Sequence, residues 1–242
     1  MSHDENSAKV SSSQGVAAVD RALSILRTIE EAQNPLTVSE LARRAGLYKS
    51  TCLRLLESLI LFGHVIRTDD SRYALGPALL RLGMAYQNNS RLEEKLLPVF
   101  RRMIDAGSES PSFFIRQGPD ERLCVFRVDS NHSTLDRVQT GRVMPLDRGA
   151  AGHVIRAYDD GSQGALYDQV RVEGHAISFG ETSPDCAALA MPVCDGQGRL
   201  AGALSISGPQ TRLNAATVAD QLVILRSAAR EVGMAFGARS GA

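Results

Sequence analysis

Between Arg43 and Arg54 the chain carries four cations, Arg43, Arg44, Lys49 and Arg54, and no carboxylate. A short stretch charged with one sign suits a polyanion. Lys49, Ser50 and Thr51 fall where a helix begins, and there backbone N–H groups and the positive end of the helix dipole favour a phosphate. Arg54, one turn further on, is placed to reach a base edge, and Arg to guanine is the commonest specific contact in the major groove. Arg67 and Arg72 flank Asp69-Asp70-Ser71, where they can touch the phosphate backbone or an adjacent minor groove. The chemistry is recognition of duplex nucleic acid. A solvated basic face on a helical bundle would display the same cations, so the order of the elements that carry them has to decide.

Thr37 with Glu40 three residues on is a capping box that opens a helix, with Val38, Leu41, Ala42 and Ala45 as its buried stripe and Gly46 as its stop. Ahead of it, Ala22, Leu23, Leu26 and Ile29 follow helical spacing from about Val19 until Asn34-Pro35. Behind it, a helix from about Lys49 to Phe62 puts Cys52, Leu55, Leu56, Leu59 and Phe62 on one side and Ser50, Thr51, Arg54 and Ser58 on the other. Beyond Gly63, Val65-Ile66-Arg67 and Arg72-Tyr73-Ala74-Leu75 read as a short hairpin. Capped helix, turn, basic helix and hairpin in that order predict a winged helix-turn-helix, whose second helix enters the major groove. The residues predicted to face DNA are Thr37, Arg44, Lys49, Ser50, Thr51, Arg54, Arg67 and Arg72.

The polar, Ser-rich residues 1–14 predict a disordered arm, residues 15–76 the DNA-binding domain and 77–91 a linker helix that loosens at Asn88-Asn89-Ser90. From residue 92 to 242 the pattern is helix, hairpin, helix, hairpin, helix: Leu92 to Ala106, strands around Gly118-Pro119-Asp120, a helix opening at Gly149, strands around Asp195-Gly196-Gln197-Gly198, and a helix from near Asn214. That is an α+β fold with an antiparallel sheet. A formal net charge of zero makes any nucleic-acid contact a matter of local patches. Cys52, Cys124, Cys186 and Cys194 form no CxxC pair and no His is spaced to join them, so reduced thiols, no metal and a cytoplasmic location are expected. No window approaches eighteen apolar residues, which argues against a membrane span.

With these elements in place, the chain from about Val16 onward resembles the IclR family of bacterial transcription regulators. The head carries "LTVSELARRAGLYKSTCLRLLESLILFGHV" (Leu36 to Val65) and "RYALGPALLRLG" (Arg72 to Gly83) in that family's style. Its C-terminal signature is met by Gly174, Ser178, Glu181, Ala188-Leu189-Ala190, Val193 and Asp195, with Cys194 where an aromatic or His is usual, and "ALSISGP" (Ala203 to Pro209) is also typical. The resemblance implies a DNA-binding head, a linker helix and a GAF-like effector-binding domain assembled as a dimer or dimer of dimers. It also implies an organic-acid or aromatic effector that changes affinity for an operator near catabolic genes. Carried over position by position, the effector contacts are Ala150, Ala151, Ser178, Ala188, Ser205 and Ser207. Ser178 stands where Asp is frequent, Asp147-Arg148 where the family has His and a small residue, and the stretch from Tyr158 to Glu173 is shorter than usual.

Strand alternation points independently at Ser205 and Ser207: with Ala201 and Ala203 they share one face, and Leu200, Leu204 and Ile206 take the other. A face of Ala and Ser either leaves room for a ligand or lets a helix pack close. Gly149-Ala150-Ala151-Gly152 lacks the GK[ST] of a phosphate loop, but the N–H groups of the helix it opens can receive an acid group. Arg148 favours an anion if it points inward and is ordinary surface otherwise. Two further functions stay open here: a DNA-binding protein without a ligand, and an enzyme acting on a small acid through His153 or His175 with Asp147 or Glu181. No cofactor is expected, and no nucleophile elbow or metal cluster supports catalysis.

Overall fold

A computed structural model describes residues 15–32, 34–159 and 161–238, so the predicted arm at 1–14 lies outside the described residues. The chain divides into two compact units, one ending at Ser90 and the other starting at Arg91. In the first, α1 (Ala17–Glu30), α2 (Val38–Arg44) and α3 (Lys49–Leu61) are followed by β1 (Val65–Arg67), β2 (Tyr73–Leu75) and α4 (Ala78–Ser90). Ile25, Ile29, Leu41, Cys52, Leu56, Val65 and Tyr73 close into one core. The stripe of α1 is centred on Ile25 and Ile29 and leaves Leu23 exposed, and Phe62 is an exposed C-cap of α3. Both departures from the periodic reading have one cause: a helix buries only the sector its neighbours cover, which is narrower than its apolar spacing allows.

The capping box forms as the sequence demands. Thr37 Oγ1 accepts from Glu40 N–H at 3.3 Å, and Glu40 Oε2 accepts from Thr37 N–H at 2.8 Å. The same segment is tied to the hairpin, since Leu36 and Tyr73 exchange backbone bonds of 3.0 and 2.8 Å. The base of the hairpin needs Gly76, because a Cβ there would run into the carbonyl oxygen of Gly63. Helix α4 does not loosen at Asn88; it continues through Ser90, with Ala78 its one buried residue.

In the second unit a six-stranded antiparallel sheet runs in the order β5 (Val143–Pro145), β4 (Glu121–Arg127), β3 (Ser110–Gln117), β8 (Leu200–Pro209), β7 (Cys186–Cys194) and β6 (Ala176–Phe179). Helices α5 (Leu92–Asp105) and α8 (Val218–Ala235) cover one face, with Phe100, Phe113, Leu204, Ile206 and Leu225 in the core between. Helices α6 (Ala150–Tyr158) and α7 (Ala165–Glu173) cover the other, over Phe114, Cys124, Ala190 and Ala203. The edge strands β5 and β6 are only three and four residues long and have no alternation to read, so the sequence pattern did not reveal them.

Two register shifts set what each face carries. Phe113 pairs with Phe126 and Phe114 with Cys124, which leaves Val125 as the extra residue. Val193 pairs with Gly202 and Cys194 with Leu200, which leaves Ala201 over. One extra residue swaps the sides of everything beyond it. Ala203, Ser205 and Ser207 share a face as alternation predicts, but Ala201 packs with the opposite core and Leu200 with the α6 side.

Replacing Thr37 with Ala is expected to lower the stability of the head by about 1 kcal/mol, the usual worth of an N-cap. Urea denaturation of the full chain at neutral pH measures it. The backbone N–H of Thr37 beside Glu40 holds that carboxyl below its ordinary value of 4.5. A depressed folded pKa stabilises above the unfolded value and the contribution disappears as pH falls through the folded one, so the cap weakens in acid.

Candidate functional site

The front of α3 is a helix terminus without a side-chain cap. Its N-cap, Tyr48, makes no side-chain capping bond, and the first turn holds no acid. Lys49, Ser50 and Arg54 are exposed and Thr51 is half-buried. Among the described residues Arg44, Lys49 and Arg54 make no ion pair or side-chain hydrogen bond; Arg44 lies within Coulombic reach of Glu40, and Lys49 and Arg54 are left for an external anion. The other predicted positions are held back. Thr37 spends its hydroxyl in the capping box, donating to Glu40 Oε2 at 2.7 Å as well. Arg72 donates to the Pro35 carbonyl (3.3 Å) and pairs with Asp70 (3.1 Å) and Glu40 (3.7 Å). Arg67 is exposed and donates to Ser71 Oγ at 2.9 Å across the hairpin turn, where Ser71 takes a φ of 62°.

In the sheet unit, five of the six residues carried over as effector contacts line one cavity: Ala150, Ala151, Ala188, Ser205 and Ser207. The pairings explain the convergence. Ala188 stands opposite both Ser178 and Ser207, and Ala190 opposite Ser205, so Ala and Ser form a row across strands under the start of α6. The helix nearly fills the space that this row leaves. Ala150 and Ala151 are buried against it, and what remains is about 30 Å³, room for roughly two waters. Both readings of a small-residue face are thus partly realised, with close packing the larger share.

The α6 terminus is largely satisfied, and of the open N–H groups expected only that of Ala151 is without a partner among the described residues. Ser178 does not line the cavity; its Oγ accepts from Ala150 N–H at 3.0 Å. Glu181 Oε2 accepts from Gly149 N–H at 2.6 Å and lies 2.7 Å from His153 Nε2. Ser205 donates to the Leu189 carbonyl at 2.8 Å, and Ser207 Oγ accepts from Arg127 Nη1 at 3.3 Å. Arg148 is surface, paired with Asp147 at 3.1 Å. Helix α7 fills the short stretch after α6, and its Arg171 donates to the Ala157 carbonyl at 2.8 Å.

Two cations that the sequence reading passed over stand at this cavity. Arg127 is buried with Asp136 at 2.6 Å and donates to Ser112 Oγ at 3.1 Å. Simple alternation from Arg122 and Cys124 would turn Arg127 to the far face; the extra residue at Val125 brings it back. Arg122 is 2% exposed, with its guanidinium over the Phe114 ring and donating through Nη1 to the carbonyls of Pro145 and Arg148. Burial pulls its pKa down to about 10. The glycines explain themselves through it. A Cβ on Gly152 would lie 2.7 Å from Arg122 Nη1 and 2.6 Å from the Leu146 carbonyl, and Gly149, at φ 79°, passes Nη2 and Thr182 as closely. The glycine run clears a lane for an arginine; it is not an anion loop.

A winged helix-turn-helix with an exposed basic helix, joined in one chain to a sheet domain with a small, mostly apolar cavity, defines a DNA-binding regulator. The IclR helix-turn-helix domain matches residues 18–67, and the bacterial transcriptional regulator IclR C-terminal domain matches residues 165–234. The HTH-type transcriptional regulator BhcR of Paracoccus denitrificans is 29% identical over 95% of this chain and 91% of its own length. The IclR transcriptional regulator of Alicyclobacillus acidocaldarius superposes with a TM-score of 0.78 at 24% identity, covering 93% of this chain and 100% of that one. An IclR homologue of Microbacterium hydrocarbonoxydans, crystallised with 4-hydroxybenzoate, gives 0.74 at 22% identity over 90% of this chain and 98% of its own. The chain belongs to the IclR family of transcriptional regulators. Among the described residues no helix is long and apolar enough to cross a membrane.

Gly152→Ala is expected to destabilise the protein by roughly 1–3 kcal/mol, the usual penalty of overpacking, because its Cβ meets backbone rather than a side chain that can yield. Gly83→Ala, in α4 with nothing within 4 Å of the added carbon, is the control and should be neutral or slightly stabilising. Urea midpoints of the two variants separate the cases.

Proposed function

We propose that Lys49, Ser50, Thr51 and Arg54 read operator DNA, with Arg44 and Arg67 on flanking phosphates. Thr37 and Arg72 act indirectly, by fixing the start of α2 and the hairpin against each other. The observation that carries this is the state of the α3 front: uncapped, free of acids, and lined by cations without internal partners. A phosphate there gains both the backbone donors and the charges. Arg54→Ala should weaken binding to the protein's own upstream DNA by roughly 10- to 100-fold, the worth of a lost bidentate base contact. Lys49→Ala should weaken all sequences alike and reduce the salt slope by about one. Fluorescence anisotropy over a salt series measures both, and equal affinity of Arg54→Ala and wild type would remove Arg54 from the reading set.

The sheet unit takes a small acid as effector and shifts operator affinity in response. Support comes from the cavity residues, from the cations beside them and from the carboxylate ligand of the Microbacterium protein. The shift is bounded by the effector's differential affinity for the two states of the regulator. The acid–base residues that an enzyme would need are spent on structure, since Glu181 caps α6 while holding His153. Burial also raises the Cys124 thiol to about 11, which leaves it un-ionised at neutral pH. Self-association goes through the head, where Val19 and Leu23 of α1 and Leu80, Leu82 and Met84 of α4 are all exposed. Filling the cavity with Ala188→Leu should abolish the response of operator binding to acids while leaving DNA affinity intact. A response unchanged from wild type would move the effector site elsewhere.

A further inference from the structure

We propose that Arg122 is the residue that receives the effector's carboxylate, through the paired donors Nε–H and Nη2–H, and that the effector is a short-chain aliphatic acid. This rests on the reading of the sheet cavity as the effector site, and it names both the contact and the ligand class.

Buried charges are ordinarily paired. Arg127, the neighbouring cation, obeys that rule through Asp136, so together they bring no net charge to the cavity. Arg122 does not. It lines the same cavity and is 2% exposed, yet among the described residues no carboxylate comes within ion-pair distance of it. Its hydrogen bonds use Nη1 alone, to the carbonyls of Pro145 and Arg148. Nε is buried without a partner. Nη2 also makes no hydrogen bond among the described residues, and it lies beside Gly149, a residue of the cavity wall. Nε–H and Nη2–H point the same way along one edge of the guanidinium, the fork that a carboxylate accepts with both oxygens.

The backbone alternative for an acid group is reduced to a single donor: Glu181 and Ser178 hold the N–H groups of Gly149 and Ala150, and in the first turn only that of Ala151 is without a partner among the described residues. Glu181 and Asp147 act on the Arg122 charge only from beyond ion-pair distance, and the Glu181 carboxylate is itself committed to Gly149 and His153. An anion in the cavity therefore finds one cation without a direct salt bridge and, on the same residue, one unused pair of donors. Size narrows the ligand further. The space between Ala150, Ala151, Ala188 and the Phe114 ring is narrow, about 30 Å³, so the shortest acids displace the least protein and an aromatic ring requires α6 to move away from the sheet.

Isothermal titration of the full-length protein with acetate, propionate, butyrate, benzoate and propionamide tests this. Saturable binding of the aliphatic acids is expected, with none for the amide and weaker or no binding of benzoate. Arg122→Gln should cost at least tenfold in propionate affinity, the worth of a charge-assisted contact, and Arg122→Lys should recover part of it. A crystal of the wild-type protein soaked in propionate needs no variant to fold: the carboxylate should sit within 3.2 Å of both Nε and Nη2, as a charge-assisted pair does. A carboxylate bound in the same cavity but on other donors, benzoate preferred over propionate, or failure of every acid in the series to bind would each overturn the assignment. Salt-sensitive operator binding that responds to other metabolites would nevertheless leave the regulator reading standing.

Discussion

An α-helix leaves its first backbone N–H groups without internal partners, and the way those donors are met organises both units of this protein. At α2 they are met locally, by Thr37 and Glu40, and the same segment is bonded to the hairpin through Leu36 and Tyr73. At α6 they are met from a distance, by Ser178 and Glu181 reaching across from β6 and the turn after it. At α3 no side chain meets them. A closed terminus builds a framework and an open one offers an anion site. The head therefore presents the positive, acid-free end of α3 to a polyanion, beside an α2 whose start is locked.

The second organising constraint is the placement of buried charge. Three polar systems sit around the α6 side of the sheet: Arg127 with Asp136, His153 with Glu181, and Arg122 without a direct ion pair. The first two are paired within the chain and hold loops and helix in place. Arg122 is tied only to two carbonyls, an arrangement that pins the end of β5 against the start of α6 but leaves its charge without a direct salt bridge. Burying a cation is costly, and burial pulls its pKa down to about 10 against the more distant carboxylates of Asp147 and Glu181. The glycines at 149 and 152 are part of the same arrangement, since a methyl group at either would displace the guanidinium or collide with backbone.

The head was largely legible in the chain because its signals are short-range. A capping box spans four residues, and helical spacing with an Asp-Asp-Ser turn needs no knowledge of distant partners. Where the reading strayed, at Leu23, Phe62 and the supposed break at Asn88, the missing information was which sector of each helix a neighbour covers. In the sheet unit the two long hairpins could be read from their alternation and turns. The short edge strands β5 and β6 could not, having too few residues to alternate. Ser205 and Ser207 were found by alternation because the stretch from Ala203 to Ser207 is free of irregularity, whereas Leu200 and Ala201, across the shift opposite Val193, fell on the wrong sides.

Arg122 and Arg127 mark the boundary of what one dimension can carry. As letters in Glu121-Arg122-Leu123-Cys124-Val125-Phe126-Arg127 they look like two surface arginines on opposite faces of a strand. The extra residue at Val125, visible only in the pairing with β3, turns both to the same side, and α6 then buries one of them under Gly149 and Gly152. By itself the sequence determined the identity of the head, the order of elements and the row of small residues, because caps, turns and periodicity act between neighbours along the chain. The tertiary structure decided how much space that row keeps and which charges end up without partners, because register and burial depend on segments far apart in sequence.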